Sequence, residues 1–571
     1  MGTLSRRAFV RIGGVGVLGI VGATMMAACA QPSAGAESAG GAGGDSTGVG
    51  AGGGAANAEQ VIIAMGAGNE PEAGFDPFYG WAAGEHSHEP LIQSTLITTT
   101  VDMDFKNDLA TGYEVSEDGL LWTFTIRDDV KFTDGATLTA ADVAFSLNSL
   151  KASEGTEADL SMIREAAATD ETTVEIRMER PYNALLYTLA VIGIVPEHAY
   201  GQDYGTNPIG SGRYMLEQWD RGQQIILTAN PDYYGEAPKM KRVIVVFMEE
   251  DAALAAVRAG EVDMAATSAV YSDQAIDGYD ILVCKSVDSR GVSLPTLPPG
   301  STRSEGDTAV AADDAAVPEG DEAAPVGNAV TSDIAIRRAL NYAVDRDLLV
   351  QNVLNGYGTV AFSVSDKMPW SSADMQVVTS TNEATKLLED AGWTVGSDKI
   401  REKDGQRASF ELCYPSNDSV RQALANEFAN QVREVGIEVT PVGLGWDDIY
   451  PRAYSDPILW GWGSNSPVEL YTLYHSKGSS NFPCYENATI DSYLDDALKT
   501  ATVAESFPLW QKAQWDGTVG EAPQGAATWV WFANIDHLYF KRVNLVVAQQ
   551  KLHPHGHGWA VANNVDQWSW K

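Results

Sequence analysis

Three of the eight histidines alternate along His553-Pro554-His555-Gly556-His557. His86 and His88 form a second alternate pair. Imidazole nitrogen suits nickel, zinc and copper. Alternate side chains on an extended segment share a face, so His553, His555 and His557 could converge on one ion. Pro554, Gly556 and Gly558 disfavour a regular strand there. No acid stands at a familiar ligand spacing. The same residues therefore also read as a turn whose histidines hydrogen-bond the backbone.

A second stretch with chemical potential is ILWGWGSNSPVELYTLYH, residues 458–475. Trp460, Trp462, Tyr471, Tyr474 and His475 cluster around Gly461 and Gly463. Large flat side chains beside flexible glycines suit a cleft wall that grips a small molecule, and equally an ordinary aromatic core. Catalytic signatures are sparse: HExxH and the phosphate-binding P-loop do not occur. The scattered acids offer no assignable acid–base pair, so an enzyme is not expected. Cys284, Cys413 and Cys484 are an odd number with no CxxC spacing. One disulfide, Cys413–Cys484, and three buried free thiols are both open.

The elements that must position these residues alternate between helix and strand. Trp122, Phe124 and Ile126 show the period-2 pattern of a half-buried strand, and Thr139 with Asp142 opens a capped helix. Residues 251–259 form an Ala-rich helix closed by Gly260. Ile336, Leu340, Val344 and Leu348 stripe one helix. Leu424, Phe428, Val432 and Val435 stripe another, stopped by Gly436 before the strand pattern of 437–440. Such units argue an α/β class with mixed sheets. Residues 298–329, rich in Pro, Gly, Ala and acids, read as a disordered acidic loop.

At 571 residues the chain exceeds one core, so two or more lobes are expected. Lysine and arginine total 38 against 77 acids, a net charge of −39. That balance disfavours nucleic acid. The first residues look like an export signal. Ser5-Arg6-Arg7-x-Phe9 resembles a twin-arginine leader, and Met26-Ala27-Ala28-Cys29 resembles a lipobox. The expectation is a signal over 1–28, a lipidated Cys29, and a flexible Gly/Ala/Ser tether over 29–58.

Wording along the chain carries more than its periodicity. Residues 109–150 read LATGYEVSEDGLLWTFTIRDDVKFTDGATLTAADVAFSLNSL. They are followed by IVPEHAY at 194–200, NPIGSGRYMLE at 207–217, NPDYYGEAPK at 230–239, GEVDM at 260–264, DIAIRRALNYAVDRD at 333–347 and EATKLLEDAGW at 383–393. Their order and spacing closely resemble the family 5 solute-binding proteins of bacterial ABC importers, the oligopeptide-, dipeptide- and nickel-binding receptors.

The resemblance implies an α/β, two-lobe clamp like periplasmic binding proteins, with an additional small subdomain. Lobe I would comprise 59–100, 205–290 and 531–571, the subdomain 101–204, and lobe II 291–530. It implies a lipid-anchored, extracytoplasmic monomer that hands peptides or peptide-like solutes to permease and ATPase subunits. A nickel or metal-chelate receptor is the alternative, and an extracytoplasmic metalloenzyme or a sensor is a remoter one. No cofactor would be needed; nickel or another transition metal would be the transported solute. Peptide-binding relatives often read G-W-x-A-D-Y where this chain has Gly461 onward, the Asp meeting the peptide ammonium. Here Ser464, Asn465 and Ser466 stand in that place, and Glu469 could replace the lost charge. Tyr79, Trp81, Trp462, Ser464, Asn465, Glu469, Tyr471, Tyr474 and His475 are the expected solute contacts. His86, His88, His553, His555 and His557 are the expected metal contacts.

Overall fold

The computed structural model describes residues 58–71, 73–79, 89–153, 160–303, 325–556 and 559–571. Trp81, His86, His88, His557, Cys29 and the leader lie outside these residues. Two mixed sheets dominate the described chain. The first has seven strands, in the order Tyr279–Cys284, His537–Arg542, Met264–Thr267, Gln60–Met65, Arg242–Phe247, Gln224–Ala229 and Tyr214–Asp220. Gln60–Met65 runs parallel to Arg242–Phe247, pairing Gln60 with Arg242 and Met65 with Phe247. Val61, Ile63, Val243 and Val245 are fully buried. Central strands covered on both faces read as such near-continuous apolar runs.

The second sheet has six strands, in the order Gly358–Val360, Trp529–Ile535, Ser289–Ser293, Ile458–Trp462, Ser409–Pro415 and Glu438–Leu444. The helix Ser419–Arg433 packs one face through buried Leu424, Phe428 and Val432. Asp418 caps that helix by accepting from the Arg421 N–H at 2.8 Å. A four-stranded antiparallel sheet, Ala110–Val115, Leu121–Ile126, Thr173–Met178 and Ile163–Ala168, carries the helix Ala140–Lys151. Thr139 and Asp142 form the expected capping box there.

Three details depart from the sequence reading. The helix containing Ile336 and Leu340 ends at Ala343, because Val344 turns to extended geometry. Leu348 falls on the next helix, Arg346–Asn352, and is exposed. Trp529–Ile535 pairs within the six-stranded sheet, so the change of sheet falls at Asp536 rather than 531. The flanks of 298–329 are packed: the Gly327 N–H donates to Tyr454 O at 2.8 Å and the Asn328 N–H to Leu297 O at 2.8 Å. Gly327 sits at φ +90°, where an added Cβ would lie 2.1 Å from Pro298 O. Residues 304–324 lie outside the described set.

The chain passes between the two large sheets at 285–288 and again at Asp536. These passages run side by side, with the Ile535 N–H donating to Asp288 O at 2.8 Å. A third segment joins them: the His553 N–H donates to Lys285 O and the Val287 N–H to His553 O, each at 2.9 Å.

Candidate functional site

A cavity of about 330 Å³ opens beside these passages. Its lining comes from Glu89, Thr99 and Met103, from Tyr182, Tyr187 and Ile192, from a third wall of Trp462, Ser464, Asn465 and Glu469, and from Lys551, Leu552 and His553.

The third wall follows from local sequence. Alternation along Ile458–Trp462 puts Trp460 and Trp462 on one face. Trp460 is buried, stacks on Phe482 at 4.5 Å and donates its Nε1–H to Ser293 Oγ at 2.9 Å. Trp462, one step nearer the cavity, keeps a buried Nε1–H with no acceptor among the described residues. Gly463 then turns against Val287, whose carbonyl oxygen would lie 2.6 Å from an added Cβ. Ser464-Asn465-Ser466-Pro467 leads into the short helix Val468–Tyr474. Ser464 Oγ accepts from the Ser466 N–H at 3.1 Å, and Glu469 Oε2 accepts from the Ser464 N–H at 3.0 Å. Asn465 Oδ1 is buried and has no donor among the described residues. Buried polar atoms are rarely left so, and each must be satisfied by something else.

Two carboxyl groups face the cavity differently. Glu89 accepts from Lys551 Nζ and from the Thr99 N–H at 3.3 Å. Burial alone would raise the Glu89 carboxyl, but Lys551 outweighs it and holds it below the ordinary range. Glu469 has no such partner: among the described residues no Lys, Arg or His pairs with it. Burial pushes its carboxyl up to about 8, and Asp288 adds to the rise against the Ser464 and Gly463 N–H groups.

The cavity thus brings together Trp462, Ser464, Asn465 and Glu469 from the expected contacts, together with His553. It leaves out Tyr471, Tyr474 and His475. Tyr474 is buried in the core. Tyr471 stacks on His475 at 4.3 Å, and the His475 Nε2 lies 3.8 Å from both Asp491 and Asp495. Tyr79 is 44% exposed and does not line the cavity. Trp81 falls outside the described residues.

The histidines meet at a carboxylate. Asp288 is fully buried. It pairs with the Arg290 guanidinium, with His555 Nδ1 at 2.8 Å and with His537 Nε2 at 3.0 Å. His537 Nδ1 contacts His553 Nδ1 at 3.0 Å, and His553 Nε2 contacts Gln550 Oε1 at 3.1 Å. Burial alone would raise the Asp288 carboxyl; Arg290, then His555 and His537, hold it well below the usual range. No three His, Cys, Asp or Glu side chains among the described residues are arranged to hold a metal ion. His553 and His555 take part in this hydrogen-bonded network, and His557 lies outside the described residues. The three cysteines are free thiols, so the Cys413–Cys484 disulfide does not form.

The sequence model of the bacterial extracellular solute-binding proteins, family 5 Middle, matches residues 104–483. Protein XP55 of Streptomyces lividans is 32% identical over 514 residues, 86% of each chain. The chain belongs to the family 5 extracellular solute-binding proteins. The oligopeptide-binding protein AppA of Bacillus subtilis is 26% identical over 74% of this chain and 78% of its own. The structure of NikZ from Campylobacter jejuni in complex with Ni(L-His) superimposes with a TM-score of 0.74, at 24% identity over 90% of this chain and 99% of that one. This family 5 protein therefore has the α/β architecture of the periplasmic binding proteins, with mixed sheets. Glu89, Lys551, Asp288 and His537 escaped sequence reasoning. Only the Lys551-x-His553 neighbourhood carried any signal, through its histidine.

Proposed function

We propose that this protein is the solute receptor of an ABC importer and that it captures peptides or peptide-like solutes in the cavity beside the three passages. The observation that carries this reading is the pair of unsatisfied atoms on the third wall. Trp462 Nε1–H needs an acceptor and Asn465 Oδ1 needs a donor. A peptide unit offers one C=O and one N–H. The relative named for oligopeptide binding supports the same class. Ser464, Asn465, Glu469 and Trp462 are the proposed contacts.

In this reading the seven-stranded and six-stranded sheets belong to two lobes that close on the solute, and the passages at 285–288, 536 and 553–555 form the hinge. The closed form is presented to permease and ATPase partners. Cys29 carries the lipid that holds the receptor at the outer face of the cell membrane, and two or more acyl chains suffice for stable anchoring.

Native mass spectrometry of the purified protein should detect a co-purified peptide-like solute, and small-angle scattering should show a smaller radius of gyration once it is rebound. A nickel–histidine complex that compacts the protein while peptides do not would replace this reading with the metal-chelate one. Cys29→Ala should lose acyl mass and leave the membrane fraction.

A further inference from the structure

We infer that Asn183 is a positioning residue for solute capture: from outside the cavity it latches the small subdomain onto the opposite lobe and so holds the two lobes closed. This rests on the two-lobe receptor reading and names the contact that sets its closing equilibrium. The last carbonyls of an α-helix lack intrahelical donors, and a glycine just past the end commonly helps to close them. The helix Ala488–Lys499 is followed by Thr500-Ala501-Thr502, with no glycine, and Thr500 turns at once to extended geometry at φ −64°, ψ 156°. The end is closed instead by a residue 314 positions away. Asn183 Nδ2 donates to Ala497 O and to Thr500 Oγ1, each at 2.7 Å, and to Thr500 O at 3.3 Å. The Asn183 backbone N–H donates to Leu498 O at 3.1 Å.

The two sides of this contact belong to different lobes. Asn183 stands within 101–204, which is tied to the seven-stranded side: the Ile194 N–H donates to Ser94 O and the Thr133 N–H to Gly210 O, each at 2.9 Å. The helix Ala488–Lys499 packs against the helices Val468–Tyr474 and Val503–Gln514. Its Leu494 and Leu498 share a core with Trp529 and Trp531 of the six-stranded sheet. Leu185 and Leu189, just after Asn183, enter that same core. Tyr187 meets Phe105 of the subdomain edge-on at 4.7 Å and Trp370 of the other lobe edge-on at 6.0 Å. Hinge opening has to part these surfaces. The latched segment also carries one wall of the cavity, since Tyr182, Tyr187 and Ile192 line it and Asn183 does not. Asn183 thus places that wall without touching the solute.

Asn183, Ala497 and Leu498 are all buried. In the closed arrangement the acceptors at this helix end depend on the Asn183 amide; once the surfaces part, water serves them as well. The donations therefore favour closure. One term opposes them: Asn183 Oδ1 is buried and has no donor among the described residues, a cost that is relieved when water reaches it. The amide holds the clamp shut through its nitrogen and eases its release through its oxygen, which suits a receptor that must reopen to deliver. Asn183→Ala keeps the backbone bond to Leu498 O but takes the side-chain donor from Ala497 O and Thr500 Oγ1. The loss falls on the closed form alone, so the closed-to-open ratio should drop about tenfold.

The test places spin labels on the two lobes of the full-length protein, at Val378→Cys and Val543→Cys, where the native valines are 84% and 46% exposed. The native thiols Cys284, Cys413 and Cys484 are buried or half-buried. Pulsed electron paramagnetic resonance should show Asn183→Ala moving population to longer separations, by about tenfold in the closed-to-open ratio. Thr500→Val, which removes one acceptor and keeps the shape, should move it less in the same direction, and it carries the test should Asn183→Ala fail to fold. Folded variants with wild-type distances overturn the inference, even if their melting temperature falls. Native-state hydrogen exchange of the wild type adds a measurement without substitution. The Asn183 amide, held by Leu498 O across the interface, should exchange through a smaller opening than the amide of Ile63 in the central strand. Exchange of the two only together would make the interface permanent core and overturn the inference. A nickel–histidine complex and trialanine serve as solute probes in calorimetry. Whichever binds the wild type should bind Asn183→Ala more weakly, because less of the protein is closed; unchanged affinity overturns the inference. A lengthened distance with no solute from any source would instead refute the receptor reading and leave the latch standing.

Discussion

Replacing Asp288 by Asn should cost the folded protein about 3–5 kcal/mol, the range for breaking a buried ion pair from one side. The carboxylate is fully buried and accepts from Arg290, from His555 at 2.8 Å and from His537 at 3.0 Å. Asn retains one acceptor oxygen and turns two N–H donors toward groups that also donate. The Arg290 guanidinium, only 6% exposed, is left without its counter-ion. Urea unfolding followed by tryptophan fluorescence should show a lower midpoint with an unchanged slope. A double variant, Asp288→Leu with Arg290→Met, should recover most of the loss, because removing both charges removes the desolvation penalty. The pH dependence has a definite sign. The folded ionisation of Asp288 lies below the unfolded value, so its contribution is fully present above about pH 4 and is lost as pH falls through the folded value. The gap between wild type and Asp288→Asn should narrow only in that acid range. A loss under about 1 kcal/mol at pH 7 would refute the reasoning, since that is the scale of an exposed pair.

Gly461→Ala should destabilise by about 1–3 kcal/mol or more by overpacking, because the new Cβ would lie 2.4 Å from Arg421 Nη2, 2.6 Å from Arg290 Nη1 and 2.8 Å from His555 Cε1; a variant as stable as wild type in thermal unfolding would contradict this geometry. Glu521 is buried and its carboxyl is pushed up to about 7 by burial, against its Thr528 and Arg337 neighbours. The folded state therefore binds more protons than the unfolded one between about pH 4 and 7, and stability should fall as pH rises through that window, by on the order of 3 kcal/mol. Glu521→Gln should flatten this decline in a pH series of denaturation midpoints. Cys284, Cys413 and Cys484 are free, with burial pushing their thiols up to about 12, 11 and 11. They should resist a thiol reagent in the native protein and react fully in denaturant, and a reductant should leave the melting temperature unchanged.

Where neighbours in sequence decide the outcome, the chain was readable. The Thr139–Asp142 box, the Gly260 stop at φ +72° and the buried alternation of Trp122, Phe124 and Ile126 all depend on residues a few positions apart. The aromatic run at 458–475 was half readable. Its strand portion has period 2, which fixes the face of Trp462. Its helical portion turns Tyr474 into the core and Tyr471 and His475 toward the acids of the helix Ala488–Lys499, and composition alone does not distinguish those faces. The charged lining was unreadable, because Lys551 and Glu89 meet across 462 positions and His555 and Asp288 across 267. His537, His553 and His555 gather at a carboxylate that no local pattern announces.

The order of strands in the seven-stranded sheet sets a timetable for the nascent chain. His537–Arg542 lies between Met264–Thr267 and Tyr279–Cys284, pairing with both. Those two strands leave the ribosome long before it does, and Asp288 precedes His537 by 249 positions. At ordinary synthesis rates of about 5–20 residues per second, the interval is roughly 10–50 s. Throughout it the sheet has a slot with two unpaired inner edges, the arrangement most prone to recruiting a foreign strand, and the Asp288–Arg290 pair waits for its imidazoles. The middle of the sheet is thus completed by late-made residues, so arrest or truncation between 300 and 537 should yield an aggregation-prone intermediate, not a smaller stable body.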